Sequence, residues 1–263
     1  MKKLIYVNGD SYTAGEELGD YTLPGWPGTH KLTGSSFSNI NTKWMRDRVK
    51  LIPDFHSYSK IQKKLSWAGQ LENENLTVIN GSKSGASMTG IAMRTMYDLL
   101  KLQQEGQIPD IVLIQLTSFD RIEVFTTEDP DYGFLDSPLA HFSLTNPNIQ
   151  NLARQYIATY SDSDLVVKFL YGLITLQNTV LGITGKHPVL LSTPLSSHST
   201  NIVCDNERDD LIEMSMIKKL DEFNLPMVHF QSMSGCIMPG SHSDMLTHSL
   251  FAEEIYNKYI KNL

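Results

Sequence analysis

Short apolar runs, each closed by small polar residues, set the rhythm of the chain. Leu4-Ile5-Tyr6-Val7 is β-prone, does not alternate, and stops at Asn8-Gly9-Asp10. A strand buried on both faces of a parallel sheet reads this way, as a continuous apolar run rather than an in-out alternation. Four more runs repeat the pattern: Leu76–Ile79 before Asn80-Gly81, Ile111–Leu116 before Thr117-Ser118, Val189–Leu191 before Ser192-Thr193-Pro194, and Met227–Phe230. Stretches with helical character lie between and after them at Lys60–Glu72, Thr89–Gln104, Asn148–Ile183 (with a break expected near Ser161–Ser163), Glu207–Phe223 and Met245–Ile260. Within Thr89–Gln104 the apolar positions Ile91, Met93, Met96, Leu99 and Leu100 follow helical spacing. Strands alternating with helices of this length predict an α/β fold, three layers with a central parallel sheet of about five strands.

The segment Tyr21–Ser59 breaks the alternation. It carries Pro24, Gly25, Pro27, Gly28 and Gly34 with Trp26, Trp44, His30 and His56, and reads as an irregular insertion in a single domain spanning 1–263. A stretch this long without regular structure is uncommon unless it forms a lid or binding loop; a surface-packed insertion is the plainer alternative.

Composition narrows the class of function. At 263 residues, with 41% hydrophobic and 19% charged residues, the chain is long enough to bury a core without disulfide or metal staples. A formal net charge of −7 argues against general binding of nucleic acid or anionic membranes. Two cysteines, Cys204 and Cys236, are too few for a disulfide framework or a zinc site and fit free thiols in a reducing compartment. The apolar run after Lys2 and Lys3 is too short for a signal peptide, and no stretch has the length of a membrane helix. The expectation is a soluble cytoplasmic protein without cofactor or metal, in the host cytoplasm if the source is viral. Lys60, Lys63 and Lys64 read as a solvated helix face, and Met214, Met216 and Met233 as core filling.

In an open α/β sheet, ligands bind at the carboxyl ends of the strands. Those ends carry Gly9-Asp10-Ser11, Ser84-Gly85-Ala86-Ser87 and Thr117-Ser118-Phe119-Asp120-Arg121. Near the C-terminus, Gly240-Ser241-His242-Ser243-Asp244 forms a polar turn ahead of the last helix. A serine, a glycine turn and a loop histidine are the parts a nucleophile with an oxyanion cradle needs. Each alone has a simpler reading: a serine after a strand commonly caps a helix, and a loop histidine commonly sits in solvent. A phosphate cradle at Gly9–Gly15 is disfavoured by the acidic Asp10, Glu16 and Glu17 and by the lack of any G-x-G-x-x-G or Gly-Lys-Ser/Thr pattern. Nor does the histidine spacing hold H-E-x-x-H for a metal.

Taken together, Val7-Asn8-Gly9-Asp10-Ser11-Tyr12-Thr13, Val78-Ile79-Asn80-Gly81-Ser82-Lys83-Ser84-Gly85 and His242 ten residues before Ala252 resemble the GDSL-type esterases of the SGNH hydrolase superfamily. Ser66-Trp67-Ala68 and Leu116–Arg121 resemble the style of the members carried by tailed bacteriophages. The resemblance implies a flavodoxin-like fold and a serine esterase cleaving a small acyl ester, acetyl by preference and on a carbohydrate or other small molecule. The Trp26, Trp44, His30 and His56 side chains of the insertion would suit a sugar. Ser11 takes the place of the nucleophile, Gly85 that of the oxyanion glycine and His242 that of the base. Two positions depart from the family. Phe119 stands where an oxyanion asparagine is expected, leaving Thr117, Ser118 or Arg121 as substitutes. Pro239 stands where the aspartate is expected, leaving Asp244 or a backbone carbonyl to orient His242. The register to Ala252 favours His242 over His248, whose i, i+4 relation to Asp244 is also that of a surface pair. The same departures support an alternative, a non-catalytic ligand- or carbohydrate-binding protein on a degenerate SGNH fold. Oligomeric state has no signature in the sequence.

Overall fold

The structure, a computed structural model, describes residues 2–31, 42–84, 86–117, 121–125, 134–138, 162–192, 227–229, 236–237 and 244–263. Its centre is a five-stranded sheet of β1 (Lys3–Asn8), β3 (Leu76–Asn80), β4 (Ile111–Gln115), β7 (Val189–Ser192) and β8 (Met227–His229), in the spatial order β3-β1-β4-β7-β8. All four pairings are parallel, with Val7 opposite Asn80 and Asn8 opposite Ile114. These strands coincide with the five apolar runs of the sequence. The two-residue side-chain period sorts them between two cores. Tyr6, Val112, Ile114 and Leu190 face one layer, built by α5 (Met88–Gln104) and α6 (Asp162–Thr184), with Ile91, Leu99, Phe169, Leu173 and Leu176. Ile5, Val7, Leu113 and Leu191 face the other, built by α4 (Trp67–Gln70) and α7 (Met245–Ile255), where Trp67 meets Phe251 edge-on at 5.3 Å between ring centroids. The fold is therefore α/β in three layers.

The helices depart from expectation at their ends. Lys60–Glu72 is two helices, α3 (Phe55–Leu65) and α4, separated by Ser66 in extended conformation. Ser66 accounts for the break: its amide closes the last turn of α3 on Gln62, and its hydroxyl accepts from the Gly69 amide to cap α4. Lys63 is not part of a solvated face. It is half-buried, its ammonium donates to the Asn80 carbonyl at 3.0 Å, and burial pulls its pKa down. Lys60 and Lys64 are exposed. The last helix loosens into a π turn over Tyr256–Ile260. Residues 148–161 and the expected helix Glu207–Phe223 lie outside the described residues, as do Met214, Met216, Met233 and Cys204.

The 21–59 stretch is not irregular throughout. It contains β2 (His30–Lys31), paired antiparallel with β9 (Cys236–Ile237), and the ten-residue helix α2 (Thr42–Leu51). Strands β5 (Arg121–Phe125) and β6 (Phe134–Pro138) form a separate antiparallel pair. Among the described residues no helix is long and apolar enough to cross a membrane.

Candidate active site

The site is built on the chain leaving β1. Gly9 lies so close to β4 that a Cβ there would stand 2.9 Å from the Gln115 Cβ and overlap the Thr13 side chain. Only glycine lets the strand end pass this point. Asp10 is extended and caps the four-residue helix α1 (Ser11–Ala14), its Oδ1 accepting from the Tyr12 amide at 3.1 Å. Gly15 ends α1 in the left-handed region at φ 73°, where a Cβ would also run into the Gln62 carbonyl. Ser11 is thus held at the head of a tight turn at the carboxyl end of a central strand, and is 2% exposed.

Neighbouring strand ends are stitched to this turn. From the end of β4, the Thr117 hydroxyl donates to Asp10 Oδ2 at 3.1 Å. One O–H gives one donation, so Thr117 braces the turn that carries Ser11 instead of offering its proton to a ligand. From the β3 side, the Gly81 amide donates to the Val7 carbonyl at 2.9 Å and the Lys83 amide to the Gly9 carbonyl at 3.3 Å. Asn80 Nδ2 reaches the Thr13 carbonyl at 3.3 Å, and the Ser84 hydroxyl donates to the Glu16 carboxylate. The end of β3 is thus tied to α1 at Thr13, and the residues after it to Gly9 and Glu16 on either side of α1, although Gly85 itself lies outside the described residues.

Beneath the turn sits a buried polar cluster. Gln115 Oε1 accepts from the Thr13 hydroxyl and from Trp67 Nε1, the latter at 3.4 Å. On the opposite face, Asn8 Nδ2 donates to Thr95 Oγ1 at 2.9 Å and to the Tyr6 hydroxyl at 3.1 Å, and that hydroxyl donates to Asp98 at 2.8 Å. Burial and then the Asp98 charge push the Tyr6 phenol well above its ordinary range.

The C-terminal elements of the site divide unevenly. Asp244 is buried and caps α7, Oδ1 accepting from the Thr247 amide at 2.9 Å. His248 is buried, not a surface partner of Asp244: its Nδ1 accepts the Trp67 amide, the first N–H of α4, at 3.0 Å. A neutral imidazole that accepts at Nδ1 carries its proton on Nε2. His248 so engaged has no lone pair left for a serine proton. His242, Ser118, Phe119 and Pro239 lie outside the described residues, and Arg121 opens β5 opposite Pro138 without a described side chain.

The insertion contributes a feature that the sequence pattern does not disclose. Glu17 and Asp20 are fully buried, and Arg48 Nη1 from α2 bridges them at 3.4 Å and 3.0 Å. Trp44, one helical turn before Arg48, donates Nε1 to Asp20 at 3.2 Å, and the Tyr58 hydroxyl donates to the same carboxylate. Burial and Asp20 raise the Tyr58 phenol far above its usual value. Trp44 is 8% exposed and packs with Leu23 and Tyr58, so it is not a platform for a sugar. Trp26 packs beside it and against Tyr21, while His56 is exposed on α3. Nothing in the sequence separates Glu17 and Asp20 from the neighbouring acid Glu16, and no spacing rule selects Arg48 as the cation that the two buried carboxylates take. Among the described residues no three His, Cys, Asp or Glu side chains converge as metal ligands.

No protein-family model and no curated protein matches the sequence. Among solved structures, a carbohydrate esterase family 2 enzyme with its carbohydrate-binding domain, from Corynascus thermopiles (Myceliophthora fergusii), is 14% identical with a TM-score of 0.53. The match covers 98% of this chain and 66% of that one, so the chain spans a little under two thirds of its length. The psychrotrophic esterase EstA from Pseudoalteromonas sp. is 15% identical, with 99% of this chain and 98% of that one covered, at a TM-score of 0.49. A member of the lipolytic protein G-D-S-L family from Veillonella parvula is 9% identical, with 98% of each chain covered, at a TM-score of 0.42. At such identities the likeness is one of architecture: the chain is built on the flavodoxin-like α/β/α fold of the SGNH hydrolases.

Proposed function

We propose that the protein is a serine acyl-ester hydrolase with Ser11 as nucleophile. The observation that carries this reading is the position of Ser11, at the head of a braced turn on the carboxyl end of a central parallel strand. In the proposed cycle His242 takes the hydroxyl proton as Ser11 Oγ forms its bond to the ester carbonyl carbon. The electron pair of the carbonyl moves to its oxygen, and the Ser11 and Gly85 amides hold that oxyanion. Collapse breaks the bond to the alcohol, which leaves with the proton from His242. Water, deprotonated by His242, then adds to the acyl carbon; collapse breaks its bond to Ser11 Oγ, which takes the proton back from His242 as the acid leaves. The engagement of His248 Nδ1 by the Trp67 amide supports the assignment of the base to His242.

Asp10 and Thr117 brace the nucleophile and do no chemistry in this scheme. Ser118 and Arg121 remain the candidates for the third oxyanion donor, a contact whose loss typically costs 10²–10³ in rate. Asp244 Oδ1 caps α7, and the Asp244 carboxylate or a backbone carbonyl is the proposed partner that orients His242. A small acyl group, acetyl first, on a carbohydrate alcohol is the proposed substrate. The family 2 carbohydrate esterase supports the sugar, whereas Trp44 no longer does. The proposed bacteriophage source rests on the style of Ser66-Trp67-Ala68 and Leu116–Arg121, and the proposed cytoplasmic location on two cysteines that fit free thiols.

The test is hydrolysis of para-nitrophenyl acetate, para-nitrophenyl butyrate and an acetylated sugar by the wild type, Ser11→Ala and His242→Ala. Turnover lost in both variants is the expected result. Turnover that survives both removes the Ser11–His242 pair, and an inactive wild type favours a binding protein on the same fold.

A further inference from the structure

We propose that Arg48, from the insertion, is a positioning residue for Ser11, acting through Glu17 and Asp20; this rests on the reading of Ser11 as nucleophile.

Directly after α1 the chain turns through two left-handed residues, Gly15 at φ 73° and Glu17 at φ 70°. Glu17 is the one non-glycine residue with positive φ among the described residues. That conformation is strained for a side chain with a Cβ and persists only where its surroundings impose it. The turn is held locally by the Leu18 amide on the Gly15 carbonyl at 3.0 Å and the Asp20 amide on the Glu17 carbonyl at 2.8 Å. From 28 and 31 residues downstream Arg48 Nη1 adds contacts to Asp20 Oδ2 at 3.0 Å and Glu17 Oε1 at 3.4 Å, both carboxylates being fully buried. The Arg48 side chain is itself only 14% exposed. Burial alone would pull its pKa down, and the two carboxylates more than offset that and hold it above its usual value.

The left-handed kink transmits directly to the site. Between its two residues, the Glu16 amide donates to the Ser11 carbonyl at 2.9 Å, and the Glu16 carboxylate accepts from Ser84, next to Gly85. Without Arg48 the buried Glu17 and Asp20 lose the cation that compensates them, which favours a shift of Glu17 towards negative φ. The relaxation swings the preceding peptide, drawing Glu16 off both the Ser11 carbonyl and Ser84. The nucleophile and the loop bearing Gly85 then loosen together. The insertion is thereby a structural part of the site rather than an addition beside it.

The experiment measures the second-order rate at which a fluorophosphonate probe modifies Ser11, with the modified residue located by mass spectrometry. Probes of this class report the reactivity of the serine whatever the natural ester is. Arg48→Met is expected to slow modification by about 10-fold or more, as small misplacements of reacting groups do, with Arg48→Lys restoring most of the rate. The kcat/KM for para-nitrophenyl acetate is expected to follow the labelling rate. Lys50→Met, which removes the exposed Lys50–Asp47 pair on the same helix, is expected to leave it unchanged. Circular dichroism at the assay temperature establishes that each variant is folded. A folded Arg48→Met protein labelled at the wild-type rate overturns the proposal, even with a lowered Tm. Should Arg48→Met not fold, Glu17→Gln is read in the same way, with a slowing of about 3-fold or more expected and an unchanged rate overturning it. Label that appears in Ser11→Ala at the wild-type rate refutes the nucleophile assignment instead, a result distinct from any behaviour of the Arg48 variants.

Discussion

Thr117, just past the end of β4, donates its hydroxyl to Asp10 Oδ2 across 3.1 Å, joining two strand ends at the residue that precedes Ser11. Both residues are buried, and Asp10 also caps α1. Hydrogen bonds to a charged acceptor contribute more than neutral ones, and a buried acceptor that loses its donor bears the desolvation cost. Thr117→Val keeps the shape and removes the donor. It is expected to destabilise the fold by about 2 kcal/mol in urea unfolding and, on the proposed function, to lower turnover of para-nitrophenyl acetate. Thr117→Ser, which retains the hydroxyl, is expected to restore both. Equal stability of the valine variant and wild type would show that the contact contributes nothing.

Trp44 is expected to serve stability and not sugar recognition. Its indole is packed against Leu23 and Tyr58 and donates to Asp20. Trp44→Phe removes that donor and part of the packing, with an expected loss of about 1–3 kcal/mol in thermal or urea unfolding. The KM for an acetylated sugar is expected to stay within about two-fold of wild type, since a buried ring cannot stack on substrate. A selective rise of that KM, with para-nitrophenyl acetate unaffected, would place Trp44 at the substrate after all.

The sheet was legible in the sequence because strands buried on both faces leave an unambiguous apolar run. Leu4–Val7 and Val189–Leu191 need no tertiary knowledge to be recognised. The turn at Gly9 was legible in the small polar residues that end β1, whereas Ser11 was singled out only by the resemblance of Val7–Thr13 to the GDSL-type esterases. The contacts that decide roles were not. Trp44 and His56 look equivalent as sugar-facing residues in an insertion, yet one is buried on Asp20 and the other is exposed. Lys63 looks like its neighbours Lys60 and Lys64, but the Asn80 carbonyl, 17 residues on, draws it inward. Asp244 and His248 share a helical spacing that suggests a surface pair, whereas both are buried, Asp244 Oδ1 caps α7 and His248 Nδ1 accepts the Trp67 amide. Periodicity reports which face a residue shares, and pairing across long sequence separations lies beyond it.

Asp98 sets a pH dependence whose sign can be checked. Burial raises its pKa above 3.8, against the lowering effects of the Tyr6 hydrogen bond and of Lys63, Arg94 and Lys101. A carboxyl with a raised folded pKa binds more protons in the native state than in the unfolded one between those two values. Stability from this group therefore falls as pH rises from about 3.8 through the folded pKa, and is constant outside that window. Asp98→Asn removes the titration while leaving an oxygen to accept from Tyr6. Relative to wild type, the variant is expected to gain stability across that window and then hold its gain, as followed by urea unfolding at a series of pH values. A difference that moves the other way would mean that the Tyr6 hydrogen bond and the nearby cations outweigh burial.

His248 and His242 are expected to separate cleanly under substitution. His248 Nδ1 accepts the first N–H of α4, and its imidazole is buried where α7 packs on that helix. His248→Leu leaves the Trp67 amide without that acceptor in a dry environment, a cost of about 1–3 kcal/mol. His248→Asn places an amide oxygen near the position of Nδ1 and is expected to recover much of that loss. Neither change removes a group that could take the serine proton, because the accepting Nδ1 is occupied and Nε2 carries the hydrogen. The asparagine variant is therefore expected to keep kcat within a few-fold of wild type and to retain its pH–rate profile, while His242→Ala loses turnover. Loss of turnover in folded His248→Asn, with activity preserved in His242→Ala, would transfer the base to α7 and require the Trp67 contact to break during the reaction.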